Sequence, residues 1–549
     1  MKKCLLFCVI FLSTFLALGQ ESNFTLIHLD KSFYVTGETI WYKVFLPKKI
    51  EWNEAVLDVQ LALEGSELME SFRIEAGTNM AHGGFKIPYG WSSGQYLLTI
   101  STNDLNNSEA NILVQKWVAI YNDLEEIEND VDLTSVKDSV GTNVSDPSGR
   151  AFQSSDARLE ISMDTTQYSR RDEISFWVSM KGVSNSTFSC SISVIDIGLT
   201  KGTDQGSRFA YKDFSQAYFE PERNIVVRGM ANYADAGSRT YAIGMGAFDR
   251  FQGDVHLFST DLTGAFSLKI PKYTGKRSLQ FQDYFGREVK LKFTNIGGVE
   301  ADVPKLKYND QVLSYLKASA DRKKINQYFN PSELNLLENN NELIPFMKPN
   351  RSIILSDYEK FSSMEEFFKN IVAPLKVFKE GEDIKFKMVN PKNKPYFEGD
   401  PLFIIDRYVV RDANYIGNLS LEEIDKIDLY FDQDQVFKSF GYLGRGGVVA
   451  IYTKEGGRSL PGRLKKNLFE IKGVQKSSDF PSLDKIDKTL TVPYFRPTIY
   501  WNPEVTLNGS SPTKVTFEHS DDRSEFEIEI IGVTSEGEVL MKKETYQVN

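Results

Sequence analysis

His28-Leu29-Asp30-Lys31-Ser32-Phe33-Tyr34-Val35-Thr36-Gly37-Glu38-Thr39-Ile40-Trp41-Tyr42-Lys43 sets the fold class of this chain. An aromatic pair is followed by a turn with an acid, and the turn leads into an apolar strand. That strand runs on as Thr39-Ile40-Trp41-Tyr42-Lys43-Val44-Phe45-Leu46, and Gln95-Tyr96-Leu97-Leu98-Thr99-Ile100 is a second. Turn residues recur between them at Gly37, Pro47, Gly65, Gly77, Gly83-Gly84 and Gly94, a spacing that suits an antiparallel sandwich over 20–120. Composition agrees. Aromatics make up 13%, with 38 Phe and 25 Tyr, which fits pleated, half-buried surfaces. The 41% hydrophobic and 25% charged content excludes wholesale disorder, collagen and coiled coil. A length of 549 predicts three to four domains at roughly 150 residues each.

The N-terminus carries an export signal. Lys2 and Lys3 precede an apolar run from Cys4 to Leu18 broken only by Ser13 and Thr14, and Ala17-Leu18-Gly19 supplies small residues. This predicts a signal peptide over 1–19, cleaved before Gln20. The run is short for the roughly 20 residues that span a bilayer, and no apolar run of about 18 follows it. No Cys follows the small residues, so a lipid anchor is not supported. The mature chain keeps Cys190 alone, so it has no internal disulfide. Cys190 sits in Phe188-Ser189-Cys190-Ser191-Ile192-Ser193-Val194, an alternating strand in which it reads as a small buried hydrophobe. The net charge of -11 argues against a nucleic-acid footprint.

Farther along, 121–156 changes character. Nine acids against Lys137 and Arg150 leave it at -7, which predicts an acidic linker; the acids lack the spacing and Gly of a calcium loop. Strand patterns resume over 157–221, as Arg158 to Met163 and Glu173 to Met180. A third β region covers 222–300, with Phe248, Val255, Phe258, Phe266, Leu268 and Ile270. Residues 301–350 read as a helical or irregular connector, with Val312, Tyr315 and Leu316 at helical offsets and a break at Asn330-Pro331. A small α+β domain is predicted over 351–457. Its first helix opens at Ser362, with Glu365 three residues on as in a capping box. Strands at 401–406 and 448–453 are apolar almost throughout, as in a sheet buried on both faces. Met364, Phe367 and Phe368 cover one face. The C-terminal β tail over 458–549, with a strand at Glu525 to Ile531, is predicted to pack on this domain and fold with it.

Three resemblances bear on function. The stretch from His28 to Lys43, echoed by Asp164-Thr165-Thr166-Gln167-Tyr168-Ser169-Arg170-Arg171-Asp172-Glu173-Ile174, resembles the start of a macroglobulin-type β-sandwich domain. Full macroglobulins trap proteases through a Cys–Gln thioester; Cys190 has no such context, so that chemistry does not carry over. Pro401-Leu402-Phe403-Ile404-Ile405-Asp406, then Leu421-Glu422-Glu423-Ile424-Asp425-Lys426-Ile427-Asp428-Leu429, then Gly444-Arg445-Gly446-Gly447-Val448-Val449-Ala450-Ile451-Tyr452-Thr453-Lys454 resembles the plug domain of TonB-dependent outer-membrane receptors. Arg407 stands where that family has Gly after the Asp. Between them, Asn224-Ile225-Val226-Val227-Arg228-Gly229 and Thr260-Asp261-Leu262-Thr263-Gly264-Ala265-Phe266 resemble a carboxypeptidase-regulatory-like sandwich. A receptor plug sits inside a 22-stranded barrel, whose strands alone need roughly 220 residues. After Gly456 fewer than about 100 of the 549 residues remain. The whole resembles exported multi-domain proteins that combine these modules without a barrel, down to Tyr500-Trp501-Asn502-Pro503 near the end.

Candidate chemistry is sparse, and neither catalytic, cofactor-binding nor metal-ligating residues are predicted. The four His are His28, His82, His256 and His519, with no pair at His-x-x-x-His spacing. His28 precedes a strand and reads as a structural or surface residue. Asp254 and His256 share a strand face, but a single pair is far short of a metal site. Gly244-Met245-Gly246-Ala247 has no helix after it, against a phosphate loop, and Gly444 to Gly447 reads as a turn needing positive φ or close packing. No Gly-x-Ser-x-Gly elbow is present. The fold class expected is mainly β: tandem macroglobulin/Ig-like β-sandwich domains, then a small α+β plug-like domain and a β tail. The function expected is a non-enzymatic envelope protein whose modules mediate protein interaction at the outer membrane. Its partner would be a barrel or envelope protein, with membrane association through that partner and no nucleic acid. The alternative is a surface adhesin or glycan-binding module using exposed Trp91 or Trp501, or a protease-inhibitor-like module.

Overall fold

A computed structural model describes residues 23–106, 110–125, 156–181, 186–198, 200–201, 207–214, 218–234, 242–294, 303–329, 346–358, 361–391, 396–456, 460–476, 479–481, 493–509 and 511–549. The expected signal peptide over 1–19 and nearly all of the expected acidic linker lie outside the described residues.

The protein is mainly β, as its aromatic, alternating sequence requires. The opening stretch folds by knotting its own polar groups. Buried Asp30 accepts hydrogen bonds from the Tyr34 hydroxyl at 2.7 Å and the Trp41 N–H at 2.9 Å. Glu38 accepts from the Val35 N–H at 3.0 Å and the Lys31 ammonium at 2.6 Å. Gly37 turns the chain at φ +84, where a side chain would be strained and a Cβ would strike Tyr89 at 2.3 Å. The strands Phe24–Leu29 and Thr39–Phe45 pair antiparallel, with Met80–Lys86 on one side and Phe209–Asp213 on the other. A second sheet orders Phe33–Val35, Ala110–Tyr121, Gly94–Asn103, Val56–Leu63 and Glu67–Glu75. Tyr34, Tyr42, Trp52, Phe72 and Tyr96 are among the residues that fill the space between the sheets of this first sandwich.

The second sandwich corrects the expected place of the tail. Its larger sheet runs Gln167–Tyr168, Val539–Val548, Glu525–Thr534, Thr187–Asp196, Thr498–Asn508. Its smaller sheet runs Thr513–Glu518, Glu173–Met180, Leu159–Met163. Thr498–Asn508 and Glu525–Thr534 therefore flank Thr187–Asp196 and do not cover the mixed sheet of 351–457. Alternation explains why. Phe188, Cys190, Ile192 and Val194 need apolar neighbours on their own face and a layer opposite; Phe526, Ile528 and Ile530 of the adjacent strand widen the face, and Ile174, Phe176, Val178 and Phe517 of the smaller sheet close it. The separation in sequence is no obstacle, because closure entropy grows only logarithmically with loop length.

The third sandwich pairs Ala265–Ile270, Ile225–Tyr233 and Val289–Phe293 in one sheet. The other sheet runs Asp254–Ser259, Gly244–Asp249, Lys276–Asp283 and Leu468–Lys472, so one more tail strand is used here. Over 351–457 a mixed sheet runs Arg351–Ile354, Ile424–Tyr430, Val448–Thr453, Leu402–Ile405, Tyr408–Val410. Leu402–Ile405 and Val448–Thr453 are its parallel pair. One face carries Phe403, Ile405, Ile427, Leu429, Val449 and Ile451 against helix Met364–Ile371 and hairpin Leu375–Glu380/Asp383–Met388, and Leu460 and Leu464 are the tail's contribution. The other face carries Leu402, Ile404, Val448 and Ala450 against helix Gln433–Phe440 and Phe248 of the third sandwich. The second cover is thus a neighbouring sandwich, not the tail. Gly246 makes this approach possible, since a Cβ there would meet Leu443 at 2.6 Å.

The cap of Met364–Ile371 is Ser363, one residue later than the sequence reading, and its hydroxyl accepts from the Glu366 N–H. Helix Asp310–Phe329 spans the connector; Val312, Tyr315 and Leu316 pack on Phe33, Val35 and Tyr121 of the first sandwich. From the same helix Arg322 donates to Asp522 of the second at 2.7 Å.

Candidate functional site

The polar chemistry of the described residues is concentrated where domains meet. The first and second sandwiches touch through the outer faces of two sheets. Apolar Phe24, Leu26, Phe45, Phe209, Ile531, Val533 and Met541 form part of the contact. Between them lies a buried polar network. His28 is within the strand Phe24–Leu29 and fully buried, neither before a strand nor on the surface. Its Nδ1 is 2.7 Å from Ser191 Oγ and its Nε2 is 3.0 Å from Glu529 Oε1. Burial holds the His28 pKa below its ordinary value, against the pull of Glu529. Burial also opposes ionisation of Glu529, but Arg208 and Lys543 outweigh it and hold that carboxyl well below the usual range. Lys543 donates to Glu529 at 2.7 Å, and Arg208 pairs with Glu527.

A Ser–His–Glu series is the arrangement of a hydrolytic triad. Here Ser191 and His28 have no exposed surface and Glu529 almost none, so the hydroxyl has no approach for a substrate. His28 also belongs to one sandwich and its two partners to the other, so opening the junction takes the series apart. Lys43 enters the same interface, donating to Ser189 Oγ at 3.2 Å and the Cys190 carbonyl at 3.1 Å. Burial lowers its pKa to about 8. Burial pushes the Cys190 thiol up to about 12, which keeps it a neutral core group. His519 is buried against Phe526 and Tyr546 in the second sandwich.

The junction of the third sandwich and mixed-sheet domain is held by Arg407. Asp406 and Arg407 form the two-residue turn between Leu402–Ile405 and Tyr408–Val410, both with positive φ, +44 and +68. Such a turn favours glycine. Arg407 is kept there by what its side chain reaches: the carbonyls of Arg250 at 3.1 Å and Phe251 at 3.0 Å, and the Phe346 ring at 4.3 Å. Arg250 answers by donating to the Arg407 carbonyl at 2.9 Å and lying 3.7 Å over the Tyr408 ring. Beside it, the Gln280 amide pairs with Val409 in both directions, at 2.7 and 3.0 Å. Gly447 has φ +81, and a Cβ on Gly446 would meet the Asp400 carbonyl at 2.1 Å, so the glycine run serves both conformation and close packing.

The Asp254–His256 pair gains a third member. Register sets Asp249 opposite Asp254, and the three residues bring one ligand atom each within 4.8 Å of one another. Sequence spacing missed Asp249 because the loop between it and Asp254 hides their pairing. Asp249 already has a cation: Arg277 donates to it at 3.1 Å, while Phe251 and Gln252 N–H groups hold its other oxygen.

Beside the first junction lies a cavity of about 270 Å3 lined in part by Tyr500, Trp501, Asn502, Pro503 and Glu504. His82, on the first sandwich, meets Glu504 at 3.2 Å. Trp91 and Trp501 are both buried, with 7% and 3% exposure, so neither offers an open face for a sugar. Trp91 stacks on Tyr96 and Trp501 lies 5.2 Å from the His28 ring.

No protein-family model matches this chain, and no curated protein matches it. Solved structures similar to it include trypsin-activated alpha-2-macroglobulin from Escherichia coli, at 9% identity and a TM-score of 0.22, covering 96% of this chain and 41% of that one. E. coli alpha-2-macroglobulin activated by porcine elastase aligns at 8% identity and 0.23, over 95% and 43%. Salmonella alpha-2-macroglobulin reacted with methylamine aligns at 8% and 0.22, over 96% and 40%. The chain spans about two fifths of the length of these proteins. The architecture stands on its own strand pairing.

Proposed function

We propose that this is a non-enzymatic, exported envelope protein, a rigid scaffold whose modules mediate protein interaction at the outer membrane alongside a barrel partner, in transport or assembly. The observation that carries the reading is where the chemically capable side chains stand. Ser191, His28 and Glu529 bolt the first sandwich to the second. Arg407 and Gln280 bolt the third to the mixed-sheet domain. Arg73 bolts the first to the third, donating to the Lys472 carbonyl at 2.6 Å and the Val226 carbonyl at 3.2 Å. Groups used this way hold surfaces in fixed relation; they do not turn over substrate. The plug resemblance of 401–454 supports an outer-membrane partner, and the signal-like N-terminus supports export. Because both faces of the plug-like sheet are closed by the chain itself, the domain meets its partner through edges and loops. The hairpin Leu375–Glu380/Asp383–Met388, with Phe378 exposed on it, is one such edge.

The test is affinity capture of the tagged protein from detergent-solubilised envelope. Enrichment of an outer-membrane protein is the expected result. Capture of none, with binding to glycans on an array, overturns the scaffold reading in favour of an adhesin.

A further inference from the structure

We propose that Arg411 and Arg445, at the seam of the third sandwich and the mixed-sheet domain, bind an acidic side chain of a protein partner, with exposed Phe285, Tyr442 and Leu257 as the apolar shelf beside it. The proposal rests on the scaffold reading and names the contact by which the scaffold would hold its partner.

Arg411 follows the edge strand Tyr408–Val410, and its side chain runs under the turn that follows Lys276–Asp283. A Cβ on Gly286 of that turn would lie 3.4 Å from both its Cδ and its Nε. Arg411 Nε and Nη2 are buried, and among the described residues neither has a hydrogen-bond partner. These two donors share one side of the guanidinium, where parallel N–H groups match the two oxygens of a carboxylate. Elsewhere in this protein the same fork is filled. Arg171 donates through Nε and Nη2 to the two oxygens of Asp521, at 2.7 and 2.5 Å. Arg158 does so to Asp156, at 3.1 and 2.9 Å. The acids whose charge reaches Arg411 are Asp283 and Asp400, and both are committed elsewhere. Asp283 accepts from Tyr233 at 2.7 Å and Arg287 at 3.0 Å, and Asp400 pairs with Lys387 at 2.9 Å. Burial, with the like charge of Arg445, pulls the Arg411 pKa down to about 10. A buried charged donor without an acceptor is costly, and an arriving carboxylate relieves that cost.

The cover over the fork is one turn, not core. Gly286 holds φ +76, and Phe285 next to it is 61% exposed. A carboxylate reaches the fork by lifting that turn. Arg445 is the second cation, donating through Nη1 to the Tyr284 carbonyl at 2.6 Å and the Tyr442 carbonyl at 3.2 Å. Its guanidinium lies 4.8 Å over the rings of both Phe285 and Tyr442. Those rings are 6.4 Å apart, and Leu257 packs on Gly441, the residue before Tyr442. Tyr442 and Leu257 are 39% and 43% exposed, so three large apolar groups lie open along a domain seam. Contiguous exposed apolar groups mark interaction sites. Charge and shelf together choose the occupant. A net charge of -11 sets the molecule as a whole against a polyanionic lipid surface, whereas one carboxylate between two guanidinium groups is a local match. Inorganic phosphate has no apolar part to lay on Phe285 and Leu257. An acidic residue flanked by apolar ones uses both features.

The probe is a pair of capped tripeptides, acetyl-Phe-Glu-Leu-amide and its neutral glutamine twin, titrated into the full mature protein by calorimetry. Saturable binding of the glutamate peptide is expected, about tenfold tighter than the glutamine peptide. Arg411→Met should weaken it about tenfold, while Lys201→Gln, on the second sandwich, should leave it unchanged. In the ligand-free protein Arg411→Met should hold or raise the thermal midpoint, because it removes a buried charge that has no acceptor. A lowered midpoint would make Arg411 a structural residue and overturn the assignment. Equal binding of both peptides, no binding of either, or an unaffected Arg411→Met variant also overturns it. Inorganic phosphate that binds as tightly as the glutamate peptide and displaces it would replace the acidic side chain with a phosphate ligand, and so overturns it too. Envelope capture with Arg411→Met separates this from the scaffold reading. If wild type and variant enrich the same outer-membrane protein equally, the arginine site falls and the scaffold stands. If neither enriches one while the glutamate peptide binds wild type, the site stands and the scaffold falls.

Discussion

Lys43→Met removes a buried charge from the junction of the first two sandwiches. Lysine ordinarily titrates at 10.5, and burial here brings Lys43 to about 8. The unfolded chain keeps the ordinary value, so between about pH 8 and 10.5 the unfolded state binds the extra proton and stability rises with pH. At about 1.4 kcal/mol per tenfold change, the charged ammonium opposes folding by roughly 3 kcal/mol at pH 7, and that penalty is gone near pH 10.5. Methionine keeps the apolar stem and removes the charge. It also orphans Ser189 Oγ and the Cys190 carbonyl, at about 1–3 kcal/mol for each buried polar group left unpaired. The two effects nearly offset at neutral pH, so the variant should stand close to wild type there. The discriminating quantity is the change with pH, in which the lost contacts cancel. From pH 7 to pH 10, wild type should gain on the variant by about 3 kcal/mol. Urea unfolding followed by tryptophan emission reads this locally, because all six Trp (41, 52, 91, 117, 177 and 501) lie in the first two sandwiches. Stability curves that run parallel from pH 7 to 10 would show that Lys43 is not desolvated and refute the reasoning. Lys116, also brought to about 8 by burial, supplies the slope that the variant should retain.

Three further outcomes are expected. Arg407→Ala should lower the thermal stability of the mixed-sheet domain by about 2 kcal/mol through its two lost charged hydrogen bonds; Arg407→Gly loses the same contacts but relieves positive φ, so it should be about 1 kcal/mol more stable than the Ala variant. A fragment over 222–476, which keeps the third sandwich with Leu468–Lys472 and the mixed-sheet domain with both covers, should unfold cooperatively. A fragment over 346–549 should bind a hydrophobic dye through the bared Leu402, Ile404, Val448 and Ala450 face, and the reverse result would overturn the described packing. Cys190 should resist a thiol reagent in the native protein and react on unfolding in urea; rapid native labelling would contradict its burial.

Much of the architecture was legible because it is local. Alternation in Thr39 to Leu46 and Gln95 to Ile100 marks strands whatever they pair with. The run Val312, Tyr315, Leu316 marks a helix face before its partner is known. The apolar strands at 401–406 and 448–453 announced a sheet covered twice, and it is. What covers it was not legible. Phe248 belongs to a strand about 150 residues earlier, and nothing in either segment names the other. The cap at Ser363 was missed by one residue because Ser362-Ser363 and Glu365-Glu366 offer the same spacing twice. Asp249 was missed because a strand pairing, not a sequence interval, brings it to His256.

Sequence alone determined that the chain is mainly β, which faces of its strands are apolar, and that its cysteine and histidines form no spaced cluster. These follow from periodicity, which each strand carries within itself. Only the tertiary structure decided the fate of the polar faces. Ser189, Ser191 and Ser193 alternate with core residues as an exposed strand face would, and so do Glu527 and Glu529. Yet Ser191, Ser193 and Glu529 are almost wholly buried, because Phe24–Leu29 brings His28 against Ser191 and Glu529, and Arg208 donates to Ser193 Oγ at 3.3 Å. A polar face is equally satisfied by water or by a complementary polar face, and the alternation is the same in both cases. Which of the two it meets depends on where a distant strand lands, and that is a property of the assembled chain.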